Sequence, residues 1–235
     1  MAANLLRFFL PWGAKRGHAL LMAIPFFLVL GWGGATSNSQ ERERLRQAAT
    51  ERFGQSGLQA ISAWIQLIDF AKREPVTEQL ALVNEFVNAR TLFQSDEQTW
   101  GQVDYWATPV ELFGRGRGDC EDIAIAKYVS LIALGVPESR LRLIYVRAQT
   151  GSPGLRTSVA HMVLGYYAST DAEPQILDNL VGSIEWAHAR TDLTPVFSFN
   201  GAGLWAGATL TPSDPTERLS RWRRVLARLE QEGMP

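Results

Sequence analysis

Residues 114–127 read Gly-Arg-Gly-Arg-Gly-Asp-Cys-Glu-Asp-Ile-Ala-Ile-Ala-Lys: a glycine-rich loop, the chain's one cysteine, then an apolar run free of Gly and Pro. Loop followed by helix sets Cys120 at or near a helix N-terminus. There, free N–H groups and the positive end of the helix dipole favour a thiolate. Asp119, Glu121 and Asp122 push the other way, because nearby negative charge opposes forming more of it. A bound cation would resolve that conflict.

Downstream, Ile123, Ile125, Ala126, Val129 and Ile132 carry the helix to Leu134, and Gly135 with Pro137 beyond stops it. Alternation then replaces helical spacing. Leu141, Leu143 and Tyr145 interleave with Arg142, Ile144 and Val146, and a loop with Gly151, Pro153 and Gly154 leads to a second strand over 159–167. A polar turn from Ser169 to Glu173 returns the chain as Gln175-Ile176-Leu177-Asp178. A hairpin turning about Ser169 and Thr170 sets His161 directly opposite Asp178 on one face, with Cβ atoms about 4.5–5.5 Å apart.

Upstream the period is helical. Gln40 to Arg52 is a charged, exposed helix interrupted by Gly54 and Gly57; Leu58, Ile61, Trp64, Ile65, Ile68 and Ala71 make a more buried one. Thr77 begins a third, with Leu80, Val83, Phe86 and Val87 on one face. Residues 93–113 are irregular and aromatic. Phe93, Trp100, Tyr105, Trp106 and Phe113 either line a groove or pack the helices onto the sheet. Asp214-Pro215-Thr216-Glu217 reads as the capped start of a last helix carrying Leu219, Trp222, Leu226 and Leu229. The pattern predicts an α+β fold: an N-terminal helical lobe, then an antiparallel sheet.

The first thirty-five residues stand apart. They hold Arg7, Lys15 and Arg16, no acid, and an apolar run from Ala19 to Leu30 that ends with Gly33 and Ala35 at small-residue positions. That run is shorter than the roughly 20 residues needed to span a bilayer, so residues 1–35 read as a cleaved export signal, with an uncleaved anchor as the alternative. Residues 36–235 are then one domain. Of 23 basic and 24 acidic residues, 20 and 24 remain once the segment's three basic residues are set aside. A mildly acidic chain offers nucleic acid no electrostatic footprint. A lone cysteine excludes an internal disulfide and marks either a free, reactive thiol or an intermolecular link.

A thiol enzyme needs an imidazole to take and return a proton, and a third group to orient that imidazole. Cys120 at a helix start, then His161 and Asp178 on paired strands, supplies this set in order. Each has a plainer reading: an inert buried thiol, a core histidine, a turn aspartate. His188 is the weaker candidate base, without a strand context or an acidic partner placed by the pattern.

Asp104-Tyr105-Trp106-Ala107-Thr108-Pro109, Gly118-Asp119-Cys120-Glu121-Asp122, Ala126-Lys127-Tyr128 and Ala160-His161-Met162-Val163-Leu164 resemble motifs of the bacterial transglutaminase-like cysteine proteinases. So do Ile176-Leu177-Asp178-Asn179-Leu180, Phe197-Ser198-Phe199-Asn200 and Gly203-Leu204-Trp205. The likeness extends to the LapG-type periplasmic proteases and runs from about Asn84 to Trp205. The resemblance implies a papain/transglutaminase-like fold and a triad falling on Cys120, His161 and Asp178. It implies calcium on Asp119 and Glu121, joined by Asp122; salt bridges from these acids to Arg115 and Arg117 are the alternative. It further implies cleavage of a large surface adhesin near its N-terminus, and sequestration by an inner-membrane receptor for cyclic di-GMP. An oxyanion hole would draw on the backbone N–H of Cys120, with Trp106 as a candidate side-chain donor.

Overall fold

The structure, a computed structural model, describes residues 33–234 apart from positions 153, 208, 212, 213 and 216–218. Residues 1–32, and with them most of the segment read as an export signal, lie outside the described residues, as do Thr216 and Glu217 of the C-terminal capping motif. No helix among the described residues is long and apolar enough to cross a membrane.

Helix α1 (Gly33–Ala71) is broken once, at Gly54, whose φ of 64° belongs to the left-handed region. The break separates the expected exposed segment, which buries only Leu45 and Ala49, from one that buries Ile61, Trp64 and Ile65. Helix α2 (Val76–Arg90) follows, then β1 (Leu92–Phe93), the short α3 (Asp96–Trp100), α4 (Pro109–Arg115) and β2 (Arg117–Gly118). Strands β1 and β2 pair in parallel and tie the end of α2 to the loop before the cysteine. Helix α5 (Cys120–Ala133) begins at the cysteine, as the glycine loop predicts, and the chain turns out of it at Gly135, φ 91°. It packs between the helical lobe and the sheet, and most of its side chains are buried.

Among the described residues the main sheet has seven strands. They are β3 (Leu141–Thr150), β4 (Thr157–Tyr166), β5 (Gln175–Leu177), β6 (Glu185–Trp186), β7 (Leu193–Phe199), β8 (Leu204–Ala206) and β9 (Thr209–Leu210), in spatial order β6-β5-β4-β3-β7-β8-β9. Every neighbouring pair is antiparallel. The α+β expectation holds, and β3, β4 and β5 fall where alternation put them. Strand β7 was not legible because it contains Pro195. Tyr145 pairs with Phe197 but Val146 with Pro195, so Val196 is an extra, bulged residue and the proline takes its place in the strand right beside that bulge.

Aromatic packing joins the layers, deciding that question for the buried members of residues 93–113. Trp106 stacks on Phe199 at 5.7 Å, Phe199 meets Trp222 at 5.5 Å, and Phe113 lies 6.0 Å from Trp64. Phe93 stays exposed. Trp222 belongs to α6 (Ser220–Glu232), which closes the lobe against α1. A polar knot pins the same region. Thr108 caps α4 in a capping box with Glu111, and its hydroxyl donates to Glu232 at 3.0 Å, while Arg52 bridges Glu111 and Glu232. Thr108→Ala removes the cap and leaves Glu232 short of a donor. We expect a loss of about 1–2 kcal/mol, or roughly 3–6 °C in Tm, with Thr108→Ser close to wild type. Calorimetry showing equal Tm for Thr108→Ala and wild type would refute this.

Candidate active site and metal cluster

His161 lies on β4 and Asp178 just past β5, and Nε2 of the imidazole meets Oδ1 of the carboxylate at 2.7 Å, both buried. The register differs from the expected one. Leu164 pairs with Leu177 and Tyr166 with Gln175, which carries Asp178 opposite Val163 rather than His161. The shift is two residues. An even shift keeps side chains on their face, so the two meet diagonally instead of directly.

Asp178 is held from several sides. Oδ1 also accepts from the Leu180 N–H at 3.0 Å, and Oδ2 accepts from Arg190 Nη2 at 2.6 Å. Burial alone would raise its pKa, but the hydrogen bond and charge of His161, with Leu180 and Arg190 behind them, hold it at about 2. Lys127 of α5 is buried close by; desolvation lowers its amine to about 7 against the pull of Asp178. Sequence reasoning missed both: Arg190 lies at no telling spacing from the cysteine or histidine, whereas Lys127 stands seven residues and two helical turns from Cys120, a signal that could have found it.

Cys120 is buried at the first turn of α5, and its Sγ lies 2.8 Å from Glu121 Oε2. The backbone N–H of Met162, next to His161 in β4, also reaches the thiol, so the helix start docks beside the His–Asp pair. Burial first, then Glu121 and Asp119, push the thiol's pKa well above its ordinary value, while the Met162 N–H pulls it down. The conflict visible in the sequence is therefore present in the fold, with burial adding to the effect of the neighbouring acids. His161 has Nδ1 left for proton transfer once Nε2 serves Asp178. His188 is exposed on the far rim and is bonded to Glu173 at 2.8 Å, an acidic partner the sequence pattern did not place. His188→Ala should keep peptidase activity within about twofold of wild type, since exposed changes away from a site cost little. A large drop in kcat would make His188 the base. Trp106 gives its indole N–H to Asp104 at 2.9 Å, so that donor is already committed.

The acids gather beside the thiol. Asp96, Asp119 and Asp122 each offer an oxygen within 4.8 Å of the others. Asp96, on α3, was not foreseen, being distant in sequence. Residues 119 and 122 share one side of the helix start at i, i+3, while Glu121 is rotated away toward the thiol. Glu121 still lines the same depression, about 390 Å³, with Asp96, Asp104 and Asp119. Gly118 permits the close approach: a Cβ there would stand 2.5 Å from Asp122 Oδ2.

These residues fit a hard cation. Oδ1 of Asp96 and Oδ1 of Asp119 are buried without a hydrogen-bond partner among the described residues. Asp119 caps α5 by position, yet its side chain makes no capping bond. Burial, then mutual repulsion, raises the carboxyl pKa of Asp119; burial also leads the rise at Asp96 and Asp122. Arg115 lies over the Trp100 ring and Arg117 bonds Gln94, so the expected alternative of salt bridges to these arginines is not what the loop does. Free oxygens on Asp96 and Asp119, beside an Asp122 that already accepts from the Ala107 N–H at 2.6 Å and the Trp100 indole N–H at 3.4 Å, suit calcium's oxygen coordination.

Comparison with protein-family models matches residues 62–206 to the bacterial transglutaminase-like cysteine proteinases. No curated protein matches. Among solved structures, Legionella pneumophila LapG is similar at 39% identity and TM-score 0.67, with 80% of this chain and 97% of that one covered. Its EGTA-treated form matches at 39% identity and TM-score 0.68, covering 80% and 97%. Its calcium-bound form matches at 40% identity and TM-score 0.67, covering 80% and 98%. A buried imidazole–carboxylate pair beside a thiol at a helix start, on this fold and at this identity, leads to one assignment: the chain belongs to the bacterial transglutaminase-like cysteine proteinases.

Proposed function

We propose that this chain is a calcium-dependent periplasmic cysteine endopeptidase that cuts a large surface adhesin near its N-terminus and so controls biofilm attachment. The observation that carries the catalytic part is the 2.7 Å His161–Asp178 contact beside the chain's one thiol. Cys120 Sγ attacks the scissile carbonyl carbon as His161 takes the thiol proton. The C–N bond then breaks, the imidazolium protonates the leaving amine, and a thioester remains for water to hydrolyse. Asp178 fixes the tautomer that presents Nδ1 to the thiol. The Cys120 backbone N–H, free at the helix start, serves the oxyanion.

Asp96, Asp119 and Asp122 would hold the calcium, with Glu121 at the edge of the depression. When bound, the ion supplies positive charge that offsets the acids around the thiol. Likeness to a LapG whose calcium-bound form is known supports this part of the reading. By the same family logic, an inner-membrane receptor for cyclic di-GMP sequesters the enzyme.

The test is incubation of the purified protein with an N-terminal adhesin fragment, followed by mass spectrometry. A single cut at one peptide bond is expected. Incorporation of an added amine without chain cleavage would replace the peptidase reading by protein cross-linking.

A further inference from the structure

Arg190 is 5% exposed, unlike most arginines, and it sits between two carboxylates. Nη2 donates to Asp178 Oδ2 at 2.6 Å and to Asp192 Oδ2 at 2.7 Å, and Nε donates to Asp192 Oδ1 at 2.9 Å. Asp192 thus grips the guanidinium through two nitrogens and turns one edge of it onto the oxygen of Asp178 that His161 does not use. Nη1 is buried with no partner among the described residues. A buried ion cluster that leaves a donor unmet contributes little net stability, because desolvation offsets the attraction. Its placement therefore points to another role.

We propose that Arg190 is a positioning residue, held by Asp192, that fixes the Asp178 carboxylate against His161. The proposal rests on the peptidase reading above. Asp178 lies just past the end of β5, beyond the strand's ladder, and the Leu180 N–H and His161 both bind Oδ1, so Arg190 is the group that holds Oδ2. The groups facing Asp178 are His161 from β4, Lys127 from α5 and Arg190, with Asp192 behind. Removing Arg190 takes a guanidinium and its hydrogen bond away from Oδ2, so Asp178 takes up a proton at higher pH.

The experiment measures kcat, KM and the pH profile of cleavage for wild type, Arg190→Met, Arg190→Lys and Asp192→Asn, with melting curves for each. For Arg190→Met we expect kcat to fall about 10- to 100-fold, short of the ~10⁴ that losing the carboxylate costs in a serine triad, with KM within about twofold. The acid limb of the profile should move to higher pH, and Arg190→Lys should recover part of both effects. Asp192→Asn should show the same changes, smaller. A folded Arg190→Met with wild-type kcat and acid limb overturns the proposal. If Arg190→Met does not fold, Asp192→Asn decides: unchanged kcat and acid limb overturn it as well. Failure of wild type to cleave at all would instead sink the peptidase reading.

Discussion

Cys120→Ala is expected to melt with the wild type and to lose cleavage by a factor on the order of 10⁴–10⁶, the range seen when one member of a concerted catalytic unit is removed. The side chain is small, and its hydrogen-bonded partner Glu121 can reach the depression at the helix start, so little packing is lost. His161→Ala should fall as far, because the thiol's pKa is raised by burial and by Glu121 and Asp119 and needs a base to ionise it. Two measurements check the pair: a cleavage assay on folded variants, and single-site alkylation of the chain's one cysteine. Wild type should label once and lose activity in step with labelling. Cleavage that survives complete alkylation would end the assignment of Cys120 as nucleophile.

Metal removal should have the next largest effect. A calcium-selective chelator is expected to cut activity by about 100-fold or more, with calcium restoring it and magnesium failing, since magnesium demands a tight octahedron and sheds water reluctantly. Asp96→Asn, Asp119→Asn and Asp122→Asn should each weaken the response. The pH dependence has a definite sign. Burial raises all three carboxyls above their ordinary value of 3.8 in the folded protein. The folded state then holds more protons than the unfolded one between 3.8 and the raised values, so decalcified protein loses stability as pH rises through that window. Calcium competes with those protons and binds better as pH rises. At about 100-fold excess over Kd the ion should add roughly 5–10 °C to Tm, and the gap between calcium and chelator should widen from about pH 5 to about pH 8. An absent gap would leave the three aspartates as a structural cluster without a metal, and a gap constant with pH would place the ion away from them.

Local signals made much of this legible before any coordinates. A glycine loop ahead of an apolar run fixed where α5 begins, and alternation placed β3, β4 and β5. The hairpin was misjudged by two residues, yet the His161–Asp178 inference survived because the pleat repeats every two. What stayed hidden has a common cause. Asp96 and Arg190 reach the site through tertiary packing, and no spacing along the chain announces that. Strand β7 was hidden for a different reason, since a proline and a bulge erase its period.

The polar knot at Arg52 bears on the order in which this protein can assemble. Arg52 and its partner Glu232 are 180 residues apart, and Trp222, fully buried, fills the space beside Phe199 and Tyr128. A nascent chain that has emerged only as far as the sheet carries the thiol, the imidazole and the carboxylate, but it has neither Trp222 nor the second acid for Arg52. Closing a loop that long is among the slowest contacts a domain makes. Helix α6 is therefore a clasp in the fold: it brings Trp222 against Phe199 and Tyr128 and the second acid to Arg52, so the helix bearing Cys120 is sealed only once contacts spanning 180 residues have formed.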